Sequence, residues 1–182
     1  METDKEIHEY TNMKERNMIK MVCTDVDGTL TDGSVYYSER GAEMKKFSAV
    51  DGRGFHLLHN SGILTMMITS EKEPITAARA ARLESVGVLN YYFEDVKKDG
   101  GKLAIIKRVC AEKNINICEV AYIGDDTNDK EAMEAAGIKA CPADANDEIK
   151  KIPGVKILQS RGGEKAFREF VDYLFIEGHI DE

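Results

Sequence analysis

Asp25 and Asp27 are the residues of this chain whose type and spacing point most directly to chemistry. They follow an apolar run at 21–24 (MVCT). Because successive side chains of a strand alternate between the two faces of a sheet, residues two apart point the same way. The two carboxylates are therefore predicted to converge beyond the carboxyl end of a buried strand, where open α/β sheets bind their ligands. Two acids in that position repel each other, so the site calls for a cation, a shared proton, or both.

Two further apolar runs, at 63–68 and 120–123, also end in polar residues. These are Thr69 and Ser70 after the first run and Gly124, Asp125 and Asp126 after the second, with Asp129 one turn later and Lys102 ahead of the intervening helix. The carboxyl ends of parallel strands lie side by side, so acids, hydroxyls and one ammonium are expected to meet there. Oxygen ligands of this kind suit Mg²⁺ rather than zinc, and Mg²⁺ bound by carboxylates and a phosphate is typical of phosphoryl chemistry.

The elements that must position these residues alternate between strand and helix. Strands are predicted at 19–24, 63–68, 91–93, 120–123 and 138–141, and helices at 55–59, 74–86, 103–110, 132–136 and 165–175. The strands are apolar throughout, which predicts a doubly wound parallel α/β sheet covered on both faces. The segments 35–38 and 44–47 flank a turn at 39–42 and predict a β-hairpin. This hairpin is the only insertion, so no lid domain is expected.

Composition sets the outer limits. The chain has 182 residues, which suits one domain, and a net charge of −8, which argues against nucleic acid or an anionic membrane as a partner. We expect no transmembrane span and no signal peptide. The four cysteines are scattered without a CxxC spacing, which predicts buried thiols in a reducing cytoplasm and makes a zinc site improbable.

Four short motifs then occur in one order along the chain: 25–29 (DVDGT), 68–70 (ITS), Lys102 and 124–129 (GDDTND). Together they resemble the haloacid dehalogenase (HAD) superfamily. Further runs resemble its small cap-less sugar-acid phosphatases, namely 31–33 (TDG), 45–47 (KKF), 51–52 (DG), 121–126 (AYIGDD) and 161–164 (RGGE). The resemblance covers about 19–175. It implies a Rossmann-like fold with a hairpin insertion and no cap, a single phosphatase domain at 19–182, and an N-terminal extension at 1–18.

The resemblance also implies roles. Asp25 is expected to be the nucleophile that forms an aspartyl phosphate, and Asp27 the general acid that later becomes the base. Lys102 is expected to neutralise charge on Asp25 and the phosphoryl group. Thr69 and Ser70 are expected to hold the phosphate.

The Mg²⁺ ion is expected to bind Asp25, Asp125 and the backbone carbonyl of Asp27. Asp126 and Asp129 are then expected to contact the ion through a water molecule or to support the residues that bind it directly. Asp129 has a simpler interpretation as an acid at the start of a helix, where it complements the helix dipole. Thr69 has a second interpretation as the N-cap of the next helix.

The substrate prediction depends on Glu71. Octulosonate 8-phosphate phosphatases usually carry Gly-Arg after the threonine, whereas a glutamate resembles the nonulosonate 9-phosphate enzymes. Glu71 as an ordinary first-turn helix acid is the competing interpretation. A nonulosonate 9-phosphate of the sialic acid type is therefore expected first, and 3-deoxy-D-manno-octulosonate (KDO) 8-phosphate, of lipopolysaccharide biosynthesis, second. Arg82 is expected to supply positive charge for the sugar acid.

A site without a lid needs another cover, and the resemblance implies a homotetramer in which the 35–47 hairpin pairs with neighbouring subunits. Arg161 and the two glycines after it are expected to reach a neighbouring site, whereas Lys45 and Lys46 are interpreted as ordinary hairpin surface. Two other function classes are possible for such a chain: a non-catalytic HAD module that organises an oligomer, and a receiver domain. The intact acidic motifs argue against the first, and the Asp-x-Asp-Gly-Thr motif against the second.

Overall fold

A six-stranded parallel sheet forms the centre of the protein in the computed structural model, which describes residues 18–181. The expected extension at 1–18 therefore lies outside the described residues, apart from its last one. The strands in chain order are β1 (Met21–Thr24), β2 (Tyr36–Ser38), β3 (Gly41–Met44), β4 (Leu64–Ile68), β5 (Tyr91–Phe93), β6 (Val120–Ile123), β7 (Ile138–Cys141) and β8 (Lys156–Ile157). The sheet order is β5-β4-β1-β6-β7-β8, with β1 between β4 and β6. The prediction of a doubly wound parallel sheet is confirmed.

Helices connect the strands on both faces of the sheet. They are α1 (Ala49–Asn60), α2 (Pro74–Ser85), α3 (Lys102–Lys113), α4 (Lys130–Ala135), α5 (Asp147–Lys150) and α6 (Ala166–Ile176). Helix α2 begins at Pro74 as predicted, because proline lacks the N–H that the first helical position cannot use. Helix α1 begins earlier than predicted, at Ala49, because the hydroxyl of Ser48 accepts a hydrogen bond from the N–H of Val50. The short strand β8 and helix α5 were not predicted.

Each face of the sheet carries its own apolar layer. On one face, α1 and α6 pack against the strands, and the rings of Phe55 and Phe167 stack with centroids 4.4 Å apart. On the other, α3 and α4 bring Ile105, Val109 and Met133 against β1, β4 and β6. Burial from both sides explains why the strand sequences are continuously apolar.

The hairpin is formed by β2 and β3, but its register differs from the prediction. The second strand is Gly41–Met44 rather than 44–47, because the turn occupies only positions 39 and 40 and Gly41 continues from it with φ of +110°. Lys45 therefore lies beyond the hairpin, and Phe47 forms a single antiparallel bridge with Thr31. Apart from this hairpin, residues 18–181 contain no inserted domain that would act as a cap.

The predicted state of the cysteines is confirmed in part. Cys23, Cys110 and Cys141 are buried and Cys118 is exposed, and all four are free thiols. None of the helices between residues 18 and 181 has the length and apolar character needed to cross a membrane.

Candidate active site

Asp25 and Asp27 lie at the carboxyl edge of the sheet, directly after β1. The N–H of Asp25 donates to the carbonyl of Ile123 at 3.0 Å, which extends the pairing with β6 by one residue. The chain then turns back, and the N–H groups of Leu30 and Thr31 both donate to the carbonyl of Val26. This tight turn presents both acids to a cavity of about 160 Å³. Its lining residues are Asp25, Asp27, Thr69, Ser70, Glu71, Asp125, Asp126 and Asn128.

Lys102 approaches Asp25 from the first turn of α3. Its ammonium lies 2.6 Å from Asp25 Oδ1 and 2.6 Å from Asp129 Oδ1, and its side chain is only 1% exposed. Burial by itself lowers the pKa of a lysine, but the two carboxylates outweigh it and hold the pKa of Lys102 above its usual value. Lys102 is therefore a charged group at the predicted nucleophile.

Asp129 is fully buried and accepts four hydrogen bonds. Oδ1 receives the ammonium of Lys102 and the hydroxyl of Tyr122, each at 2.6 Å, and Oδ2 receives the N–H groups of Asp125 and Asp126. It does more than complement a helix dipole, because it ties β6, the loop after β6, and α3 together. Tyr122 was not singled out from the sequence, where it is one apolar-run residue among several.

The carboxylates of Asp25, Asp125 and Asp129 form one cluster. One oxygen from each lies within 4.8 Å of the others. With the ammonium of Lys102 these groups leave two negative charges, which a divalent cation would balance. Because both oxygens of Asp129 are already engaged, Asp25 and Asp125 are the carboxylates with free lone pairs. The donor set consists of oxygens and fits Mg²⁺.

Burial and mutual repulsion act on the acids of this cluster. Burial raises the pKa of Asp25 well above its ordinary value, and Asp129 raises it further, although Lys102 opposes both. Burial and then Asp129 raise the pKa of Asp125 to about 6, against hydrogen bonds that include one from Thr29 Oγ1 to Asp125 Oδ1 at 3.1 Å. Asp25 and Asp125 are thus held in a setting that favours either a proton or a cation.

Thr69 and Ser70 line the same cavity at the end of β4. Thr69 Oγ1 accepts the N–H of Glu71 at 3.1 Å and lies 3.5 Å from Asp27 Oδ2, and Ser70 Oγ accepts a hydrogen bond from the Asn128 amide. The interpretation of Thr69 as an N-cap is wrong, because Glu73 occupies that position of α2. Asn128 was missed by sequence reasoning, although it lies within the 124–129 motif.

Glu71 and Asp126 lie at the rim of the cavity. The side chain of Glu71 is 60% exposed and lies 3.8 Å from Lys97. It precedes α2, so its interpretation as a first-turn helix acid is wrong. Asp126 Oδ1 accepts hydrogen bonds from the N–H of Thr127 and the amide of Asn146.

Lys45 departs from its interpretation as hairpin surface. Its side chain is 1% exposed, and its ammonium lies 2.5 Å from Asp27 Oδ1 and also pairs with Glu73. Lys46 is half-exposed, as expected of a surface lysine. A signal was available in the sequence: Lys45 is two residues from the partly buried Phe47, so the two side chains share one face of the extended chain.

The two predicted substrate arginines lie outside the cavity. Arg82 lines a separate pocket between α1 and α2, together with Arg53, His56 and Arg79. Arg161 lies 3.2 Å from Asp144 of its own chain. The structure therefore does not place either arginine among the residues that line the cavity of Asp25 and Asp27.

Glycines allow the close approach of two loops at the site. Gly28 has φ of +89°, and a Cβ there would lie 2.1 Å from Asp125 Oδ2. A Cβ at Gly162 would lie 1.9 Å from the carbonyl oxygen of Gly28. The 161–163 segment therefore packs on the Asp25 loop of its own chain, and the reach of Arg161 towards a neighbouring site stays a prediction.

Comparison with known proteins defines the class. Residues 60–156 match the family described as haloacid dehalogenase-like hydrolase, which is more than half of the chain. The acids, the hydroxyls and the lysine at the carboxyl edge of the sheet are the features expected of that family. The chain belongs to the haloacid dehalogenase-like hydrolases.

Individual relatives indicate the group within this family to which the chain belongs. The 3-deoxy-D-manno-octulosonate 8-phosphate phosphatase of Haemophilus influenzae is 33% identical over 156 residues, which is 86% of this chain and 82% of the relative. A crystal structure of a probable YrbI family phosphatase from Pseudomonas syringae pv. phaseolica superposes with a TM-score of 0.81 at 31% identity, covering 93% and 92% of the two chains. The Moraxella catarrhalis octulosonate phosphatase, solved with magnesium, phosphate and KDO, has a TM-score of 0.79 at 27% identity and covers 92% of both chains.

Within the family, the chain falls into this group of cap-less sugar-acid phosphatases. It is a phosphoric monoester hydrolase. Its enzymatic class argues against both the non-catalytic module and the receiver domain.

Proposed function

We propose that the protein hydrolyses KDO 8-phosphate to KDO and phosphate. The relatives that share more than four-fifths of its length carry this activity in their names. The observation that carries the phosphatase chemistry is the arrangement of Lys102 against Asp25, in a cavity that Asp27 and Thr69 also line. This proposal reverses the order expected from Glu71, which placed the nonulosonate substrate first.

The first step forms an aspartyl phosphate on Asp25. A carboxylate oxygen of Asp25 attacks phosphorus, the bond between phosphorus and the sugar oxygen breaks, and Asp27 donates a proton to that oxygen. Lys102 keeps Asp25 oriented and offsets negative charge as it develops. Thr69 and Ser70 donate hydrogen bonds to the phosphoryl oxygens.

The second step returns the enzyme to its starting state. Asp27, now a carboxylate, takes a proton from a water molecule whose oxygen attacks phosphorus. The bond between phosphorus and Asp25 breaks, which releases phosphate and restores the Asp25 carboxylate. Asp27 regains the proton that it needs for the next cycle.

Mg²⁺ is the proposed cofactor. Asp25, Asp125 and the backbone carbonyl of Asp27 would hold it, and Asp126 and Asp129 would orient these ligands. The excess of two negative charges in the buried cluster supports a divalent ion. When bound, the ion would neutralise charge on the phosphoryl group and lower the repulsion between that group and Asp25.

A nonulosonate 9-phosphate is the second candidate substrate. Glu71 lines the cavity at the position where octulosonate 8-phosphate phosphatases usually carry an arginine, which would pair with the sugar carboxylate. Glu71 accepts hydrogen bonds from sugar hydroxyls instead. Arg82 and Arg161 remain candidates for the sugar acid only if a neighbouring subunit brings them to the cavity or the substrate extends to them.

Phosphate release from a matched pair of substrates tests the proposal. The full chain with Mg²⁺ is assayed on KDO 8-phosphate and on a nonulosonate 9-phosphate, with Asp25→Asn as the inactive control. We expect a higher kcat/KM on KDO 8-phosphate. A preference for the nonulosonate that Glu71→Arg reverses would favour the second candidate, and no turnover of either ester would refute both.

We also propose a homotetramer assembled through the hairpin. The large apolar side chains of Tyr36, Tyr37 and Met44 are each more than half exposed there. Light scattering is expected to give the mass of four chains, and Tyr36→Ser with Tyr37→Ser to lower it. A wild-type enzyme that is active as a monomer would refute this.

A further inference from the structure

Lys45 is a buried cation that contacts the proposed general acid. Its ammonium lies between Asp27 Oδ1, at 2.5 Å, and the carboxylate of Glu73, and only 1% of its side chain is exposed. The next residue, Lys46, is half-exposed and lies 3.4 Å from Glu164 and 3.7 Å from Asp32. Burying an ammonium is costly unless it is well paired, so the position of Lys45 depends on both carboxylates.

Three elements fix the place of Lys45. The residue follows β3, and Phe47 two positions later bridges to Thr31 in the loop that carries Asp27. Arg79 of α2 lies over the Phe47 ring, 5.9 Å from its centroid, and Glu73 stands immediately before α2. The backbone is therefore fixed before Lys45 by β3 and after it by the bridge between Phe47 and Thr31. The two carboxylate partners of Lys45, Asp27 and Glu73, belong to different segments.

The two oxygens of Asp27 have unequal surroundings. Oδ1 is engaged by Lys45, whereas the contact of Oδ2 among residues 18–181 is Thr69 Oγ1 at 3.5 Å, at the long limit for a hydrogen bond. Because Asp27 lines the cavity, the less engaged Oδ2 is the oxygen free to exchange a proton with the leaving group and with water.

We propose that Lys45 is a positioning residue for Asp27, and that Glu73 holds Lys45 in place. By binding Oδ1, Lys45 fixes the rotamer of Asp27 and leaves Oδ2 for proton transfer. This inference rests on the proposed role of Asp27 as general acid. It assigns to the segment after the hairpin a part in catalysis that is separate from any role in assembly.

The leaving group distinguishes this role from phosphate binding. A sugar alkoxide needs a proton as it departs, whereas 4-nitrophenolate departs without one. In the first step, the phosphorylation of Asp25, a residue that positions the acid therefore matters for the sugar ester and little for the aryl ester, whereas hydrolysis of the aspartyl phosphate is common to both. A residue that binds phosphate or supports the metal matters equally for both.

The test compares Lys45→Met with Lys46→Met, two equal substitutions at neighbouring positions. In the first turnover, followed by rapid quench, we expect Lys45→Met to slow release of the sugar from KDO 8-phosphate on the order of 10-fold to 100-fold, and release of 4-nitrophenolate by no more than about 3-fold. Lys46→Met should match the wild type on both esters. Lys45→Arg, which keeps a cation, should recover part of the loss.

Equal losses of the first-turnover rate on both esters, or no loss on the sugar ester, would overturn the inference. If Lys45→Met does not fold, Glu73→Gln serves in its place and should show the same dependence on the leaving group. If the wild type cleaves only other alkyl phosphates, the proposed substrate fails, but the comparison of alkyl with aryl ester still decides the role of Lys45.

Discussion

Removing the ammonium of Lys102 should separate two properties that usually fall together, metal affinity and activity. Lys102→Met keeps the length of the side chain and deletes its charge. The variant leaves Asp25, Asp125 and Asp129 in one buried cluster without the ammonium that pairs with Asp25 and Asp129. The charge of the cluster therefore changes from two negative to three negative.

The expected cost follows from burial. Lys102 is 1% exposed and has two carboxylate partners at 2.6 Å, and breaking a buried ion pair by removing one partner costs about 3–5 kcal/mol. For a domain of this size about 1 kcal/mol shifts Tm by roughly 2–4 °C, so without metal Tm should fall by roughly 6–20 °C. Mg²⁺ should raise Tm by more in the variant than in the wild type, because the ion binds to a cluster with one more negative charge. Activity should nevertheless fall roughly 10²–10³-fold, since no ammonium faces the phosphoryl group.

Thermal unfolding with a chelator and with Mg²⁺ measures these shifts, and phosphate release at saturating Mg²⁺ measures activity. Lys107→Met, at an exposed position of the same helix, is the matched control and should change neither quantity. An unchanged Tm in the chelator, or a weaker response of the variant to Mg²⁺, would show that the cluster does not carry the charge assigned to it.

Two other positions give independent predictions. Gly28→Ala should reduce kcat/KM by at least about 10-fold, because its Cβ would lie 2.1 Å from Asp125 Oδ2 at a φ of +89°; wild-type kinetics in this variant would contradict the geometry of the loop. Asp51 has a pKa raised to about 6 by burial, and its Oδ2 has no hydrogen-bond partner in the part of the chain that the structure describes. The folded protein therefore binds this proton more tightly than the unfolded chain, and its contribution to the free energy of unfolding is lost as pH rises from about 4 to 6. In denaturant titrations, the free energy of unfolding of Asp51→Asn relative to that of the wild type should rise by at most about 3 kcal/mol between pH 4 and pH 7. An equal difference between the two proteins at both pH values would refute the assignment.

The strand ends were predictable because their signal is local. A buried strand needs an uninterrupted apolar run, and the run stops where side chains meet solvent or ligand. Asp25, Thr69 and Asp125 all follow such runs, and the parallel sheet brings them to one cavity. The prediction of these strands required no knowledge of long-range packing.

The contacts of Lys45 and Arg82 were not predictable in the same way. The predicted turn is two residues longer than the observed one, a difference that leaves Lys45 on the same face as Phe47. The burial of Lys45 depends instead on its pairing with Asp27 and Glu73, which two other segments of the chain bring to it. Arg82 lies on α2, the helix that follows the loop carrying Glu71, but its position on that helix places it in another pocket.

The central claim, that Asp25 becomes phosphorylated and Asp27 then activates water, has a direct test. Asp27→Asn is mixed with 4-nitrophenyl phosphate and Mg²⁺, and the reaction is quenched in acid. The protein is then digested, and the masses of its peptides are measured by mass spectrometry. Because the aryl group departs without a proton and Asn cannot act as base, one phosphoryl group should accumulate on Asp25, and Asp25→Asn should carry none. A burst of 4-nitrophenolate without phosphorylated Asp25, or with the phosphoryl group on another residue, would contradict the account.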